Sequence, residues 1–138
     1  MKKYEIIPHT ADIKLRLEAS TIQELFEIAL QAMSEIISEN SCTKNKDYKL
    51  TEKFEINSID QTALLIDFLS QILTYSQINN VVYCKVEFEK LTNQNLIATI
   101  FGNKTDKFDE DVKAVTYHEA EIVKNKNNNF QTFIVFDI

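Results

Sequence analysis

Three carboxylates bracket this chain. Asp12 lies in the string HTADI at residues 9–13, and Asp137 is followed by Ile138, whose α-carboxylate would stand beside the Asp137 side chain if the chain ends there. A fold that joins these two segments gathers three anionic oxygen donors. Like charges so close raise one another's proton affinity unless a cation joins them, and the natural remedy is a hard divalent ion with oxygen ligands, calcium or magnesium. The alternative is a carboxy terminus loose in solvent. His9 precedes Asp12 by three residues just after Pro8, so both groups can gather at a bend where acid/base work or metal binding is feasible. A histidine beside a proline is also commonly satisfied by a backbone hydrogen bond.

Other polar strings carry weaker signals. His118 falls in the alternating stretch 112–124, on the face of Ala114, Thr116, Ala120 and Ile122, and is expected to be buried against a sheet. Its neighbour Glu119 points to the opposite face, so the two do not form a metal motif. Asp106, Asp109, Glu110 and Asp111 form an acidic run without the spacing or glycine of an EF-hand loop and are expected to be a solvated loop. Gly102 is the single glycine, which excludes glycine-rich phosphate loops. Cys42 and Cys84 match no zinc motif or disulfide framework and are expected to be reduced thiols.

The elements that must position these groups are separable by period. Residues 4–7 and 12–18 read as short strands around a bend at Pro8, the second with Ile13, Leu15 and Leu17 on one face. Thr21 and Glu24 form a capping box before a helix over 22–37, and residues 38–47 read as a loop. An outer strand over 50–56 precedes a second capping box, Ser58 with Gln61. The helix after it carries the stripe Leu64, Leu65, Phe68, Leu69, Ile72 and Leu73 and stops before Asn79 and Asn80. Strands follow over 81–90, 96–101, 112–124 and 130–137, the last after an asparagine-rich turn at 125–129. The order ββαβαββββ predicts a single α+β domain over residues 1–138, a mixed or antiparallel sheet with two main helices on one face.

Length and composition agree with one domain. The chain has 138 residues, 44% of them hydrophobic, and no apolar run long enough for a membrane span or a secretory signal, which predicts a soluble, cytoplasmic protein. Fifteen Lys and Arg against twenty-one Asp and Glu give a net charge of −6, and Arg16 is the single arginine. Such a field repels phosphate backbones, so tight nucleic-acid binding is not expected; a cation or a basic protein partner is.

HTADI, KAVTYHE at 113–119, LLIDFLSQIL at 64–73 and the closing Asp137 and Ile138 together resemble the archease family, from Tyr4 to Ile138. The resemblance implies a small cytoplasmic protein that assists an RtcB-type tRNA-splicing RNA ligase, promoting its guanylylation and multiple turnover without catalysis of its own. It also implies a divalent metal ion, calcium foremost with magnesium or manganese as alternatives, held by Asp12, Asp137 and Ile138. His9, Lys113 and His118 are candidate supporting or partner-contact residues. The chain departs from the family pattern at Lys14, where glycine is usual, at Asn103, where glutamate is, and at Phe68, where tryptophan is common and a core exchange is expected. An alternative function is a small metal-dependent hydrolase using Asp12 and Asp137 with His9 or His118 as base. A passive chaperone-like or RNA-binding module would need the basic patch and aromatic platform that the sequence lacks.

Overall fold

The first two strands form a hairpin whose partner is the last long strand, so both ends of the chain meet in one sheet. The computed structural model describes residues 2–8 and 12–138. Among these, β1 (Lys2–Pro8), β2 (Asp12–Ala19), β8 (Phe130–Asp137) and β6 (Ala114–Thr116) lie side by side, and β7 (Val123–Lys124) also pairs with β8. A second sheet orders β3 (Leu50–Asn57), β5 (Asn95–Lys104) and β4 (Val81–Leu91). Among the described residues, every strand pairing is antiparallel.

Helix α1 (Ile22–Ile37) packs on β1, β2 and β8 of one sheet and on β4 of the other, while α3 (Gln61–Asn79) touches β6 and all three strands of the second sheet. The helices therefore lie between two sheets, where the sequence suggested helices over one face of a single sheet. The reason is the breadth of their apolar surface. Besides the stripe read from the sequence, α3 buries Ile66, and α1 buries Leu25, Phe26, Ile28, Ala29, Leu30, Ala32 and Met33, too wide an arc for one contact face. Phe68 is fully buried, with ring centroids 5.4 Å from Phe26, 6.2 Å from Phe54 and 5.7 Å from Phe88. It thus ties both helices to the second sheet.

Local signals fared unevenly. Thr21 caps α1 by accepting from the Glu24 N–H at 3.1 Å, and Glu24 in turn receives the Ser20 and Thr21 hydroxyls. At α3 the cap is Asp60, which accepts from the Ala63 N–H at 2.8 Å, while Ser58 donates instead to Asp67 at 2.6 Å. Asn80 ends the helix in the left-handed region. A single turn, α2 (Ser41–Lys44), interrupts the expected loop, and its Cys42 is joined to Cys84 of β4 by a disulfide with Cα atoms 5.5 Å apart. The two thiols expected to be free are therefore bonded. Their pairing depends on α2 folding back onto β4, which no spacing in the sequence announces.

Candidate functional site

Asp12 and Asp137 are direct cross-strand partners at the end of the β2–β8 ladder. Leu15 and Leu17 of β2 are fully buried beneath the sheet, so alternation puts Asp12, Lys14, Arg16 and Glu18 on the other face, and Asp137 shares that face by register. Directly opposed residues hold their Cβ atoms about 4.5–5.5 Å apart, and like charges there repel. Ala114 of β6 pairs with Asp137 from the other side and presents only a methyl group. The Lys113 N–H donates to the Asp137 carbonyl at 2.7 Å, which fixes this lysine's backbone against the site. Ile138 packs against the core edge beside Asp137.

An all-oxygen, anionic donor set fits a hard divalent cation better than a soft one. The residues that would hold it are Asp12 and Asp137. Among the described residues no three His, Cys, Asp or Glu side chains converge as a metal cluster. His9 lies outside the described residues.

His118 is a correction. It is exposed, its side chain 76% accessible, with Nε2 3.8 Å from Glu119 Oε2, and it does not join the carboxylates. The stretch 112–124 is not one strand: Thr116 pairs with Val135 and Val123 with Gln131, so the intervening 117–122 bulge out along the β8 edge. Glu119 adopts φ 62°, which turns the chain and breaks the alternation that placed His118 against the sheet. The bulge is pinned at several points. The Tyr117 hydroxyl donates to the Asp67 carboxylate of α3, a bond that pushes the phenol up to about 12. The Ile122 N–H donates to Thr62 Oγ1 at 3.0 Å, and Lys14 reaches Glu119 at 3.1 Å.

The sequence reading missed Glu18. This carboxylate is 1% exposed and receives Asn129 Nδ2 at 2.8 Å and Asn125 Nδ2 at 2.9 Å, with Arg16 at 3.2 Å and Lys3 at 3.5 Å. The hydrogen bonds from Asn129 and then Asn125, aided by Lys3, hold its pKa down to about 2. The asparagine-rich turn is thus a cage for a strand glutamate. The repeated asparagines were the available signal, since a plain turn needs no such run of amide donors.

The fold and site define a small two-sheet α+β domain that presents paired carboxylates where the two ends of the chain meet. The Archease protein family (MTH1598/TM1083) matches residues 4–138. A Methanosarcina barkeri protein archease is 31% identical over 99% of this chain and 97% of its own length, and that of Pyrococcus abyssi is 30% identical over the whole of both. The solution structure of Methanobacterium thermoautotrophicum protein 1598 superposes with a TM-score of 0.75 at 25% identity, covering 98% of each chain. The crystal structure of an archease, possible chaperone, from Thermotoga maritima gives 0.60 at 20% identity over 96% of this chain and 94% of that one, a likeness of fold. The chain belongs to the Archease family.

Proposed function

We propose that this protein is a non-catalytic activator of an RtcB-type tRNA-splicing RNA ligase, promoting guanylylation and multiple turnover in the cytoplasm. Family membership supports the class of activity, and the opposed pair Asp12 and Asp137 is the observation that carries the site. These two carboxylates, with that of Ile138, would hold a divalent ion, calcium foremost. A bound cation would neutralise their repulsion and offer a coordination position to an anionic group of a partner. Lys113, anchored through its backbone to Asp137, would serve as a supporting or partner-contact residue. The acidic balance of the chain suits docking beside a positively charged RNA channel. The hydrolase alternative would need a base beside the carboxylates; His118 is turned to Glu119, and His9, the other candidate base, lies outside the described residues.

The test is a ligation assay with the cognate ligase, GTP, manganese and RNA bearing a 2′,3′-cyclic phosphate end. Added protein should carry the ligase past a single turnover, and Asp137→Asn should lose that stimulation while keeping the fold. Calcium calorimetry on the same two proteins separates loss of the ion from loss of docking. RNA or nucleotide hydrolysis by the protein alone would overturn the activator reading in favour of the hydrolase.

A further inference from the structure

We propose that Cys42 and Cys84 are a redox-active pair, opened and closed by exchange with an acidic low-molecular-weight thiol, and that opening frees the segment 38–48 from β4. The place of each sulfur supports this. Cys84 is the extra residue of a bulge in β4, since Tyr83 pairs with Gly102 and Lys85 with Phe101. It is buried yet packs outside the main hydrophobic cluster, and Cys42 is half-buried on a helix that buries none of its residues. The bond therefore ties a surface turn to an edge strand, and breaking it removes no core contact and no rung of a sheet ladder.

The surroundings are those of a reactive cysteine. The thiolate is both the attacking and the leaving form in disulfide exchange, and cationic neighbours with partial exposure favour it. Lys44 and Lys104 share one cavity with Cys84, Lys46 and Lys85 share a second with both cysteines, and Lys2 shares a third with Cys84. Against them stand Glu35 in the second cavity and Glu27 in the third, while Lys85 also reaches Glu87 at 3.4 Å. Lys44 and Lys46 enter no ion pair among the described residues. In a chain of net charge −6, this local excess of lysine is the reverse of the whole-protein balance.

Size and charge select the exchange partner. The cavity that both cysteines line has a volume of about 460 Å³, within the roughly 300–1,000 Å³ of small-molecule sites. Its lysines attract a carboxylate-bearing molecule and repel a cationic one. Closure runs in two steps. The Cys42 thiolate, on the more exposed residue, attacks one sulfur of the symmetrical small disulfide; a mixed disulfide forms, and one small thiolate leaves and takes up the proton that Cys42 gave away. The Cys84 thiolate then attacks the Cys42 sulfur, and the second small thiolate leaves with the Cys84 proton. Two protein thiols are oxidised and one small disulfide is reduced to two thiols; opening is the reverse. Because Cys42, Lys46 and Tyr48 form one wall of this cavity, opening also takes the cavity apart.

The experiment uses the full chain without ligase, so its outcome is separate from that of ligase stimulation. Reduced protein, freed of reductant, is exposed at low salt to glutathione disulfide, to neutral hydroxyethyl disulfide and to cationic cystamine, and remaining thiols are trapped by alkylation and counted by mass. Rates are divided by those of a blocked cysteine peptide, which removes each reagent's own reactivity. On this scale glutathione disulfide should close the pair roughly ten-fold faster than cystamine, with hydroxyethyl disulfide between them, and added salt should narrow the gap. Lys46→Gln combined with Lys85→Gln, at two exposed positions, should fold as before and lose most of that preference. In Cys84→Ser the reaction should stop at a glutathionyl adduct on Cys42, and excess reduced glutathione should reopen the native pair with faster amide exchange over 38–48. Equal normalised rates for the three reagents, a preference that survives the double lysine variant, or a bond that excess reduced glutathione leaves closed would each overturn the proposal.

Discussion

Lys14 Nζ lies 3.1 Å from Glu119 Oε1 and 4.7 Å from the centre of the Phe133 ring, so one side chain of β2 reaches across β8 to hold the bulge beyond it. A glycine there would leave Phe133 uncovered and remove this partner of Glu119, whose φ of 62° turns the bulge. Lys14 is therefore tied to the conformation of 117–122 rather than to the carboxylates two residues away. It is not available to neutralise Asp12 and Asp137 while it makes these contacts.

Lys14→Met keeps a stem over Phe133 and drops the charge. Because the partners are partly exposed, the expected loss is small, about 0.2–1 kcal/mol by urea denaturation. The local effect should be larger, with faster amide exchange within 117–122 and no change in β3, β4 or β5. Unaltered exchange in the bulge would show that Tyr117 and Thr62 hold it without Lys14.

Glu18 makes stability depend on acid. Its folded-state pKa is lowered from 4.5 to about 2, so the unfolded chain takes up the proton first as pH falls. The stabilisation is complete above 4.5 and is lost as pH drops toward 2. Glu18→Gln should be less stable than the native protein near neutral pH, and the difference in urea midpoint should shrink through this window. A constant difference across it would mean that the amide cage holds the protonated and ionised forms alike.

Much of the frame was legible in residue order, because period and caps are local. The helix over 22–37 followed from Thr21, Glu24 and the apolar spacing, and it ends where the structure ends it. The closeness of Asp12 and Asp137 was legible only as a requirement of their chemistry, and antiparallel pairing of β2 with β8 meets it. His118 and the cysteines were misread for a common reason. Alternation over 112–124 has no marker for a single left-handed residue at Glu119, and the spacing of Cys42 and Cys84 has none for the fold-back of α2. The two-sheet arrangement lay half hidden in Ile66, an apolar residue off the stripe that a one-sided helix would have exposed.

Gly102 has a role beyond excluding phosphate loops. In register with Tyr83 and Leu50, it sits where β4 bulges, and a Cβ added there would lie 2.1 Å from the Val82 carbonyl oxygen and 2.8 Å from the Tyr83 Cα. Those are backbone atoms with no rotamer to escape into. Gly102→Ala should cost about 3 kcal/mol, at the upper end for overpacking, which corresponds to a fall in Tm of roughly 10 °C. Calorimetry checks it, and a Tm within a degree or so of the native protein would mean that β4 and β5 can part at the bulge without loss.

The Cys42–Cys84 bond closes a loop with a sequence separation of 42, for which chain entropy gives an upper stabilisation of about 4 kcal/mol. Its local effect should be concentrated. Helix α2 buries none of its residues and has no side-chain cap; the Tyr48 hydroxyl, from the segment before β3, donates to the Cys42 carbonyl at 3.2 Å, and the disulfide is the covalent tie to β4. Reductant should lower the Tm and speed amide exchange over 38–48, and the double variant Cys42→Ser, Cys84→Ser should match the reduced protein and ignore reductant. Asp12 and Asp137 belong to the other sheet, so calcium titrations should be the same in oxidised and reduced protein. In a reducing cytoplasm the bond would open, and the reduced form would then be the working one. Thiol titration of the native protein under oxidising conditions decides the pairing: two reactive thiols without denaturation would show that α2 does not dock on β4 as described.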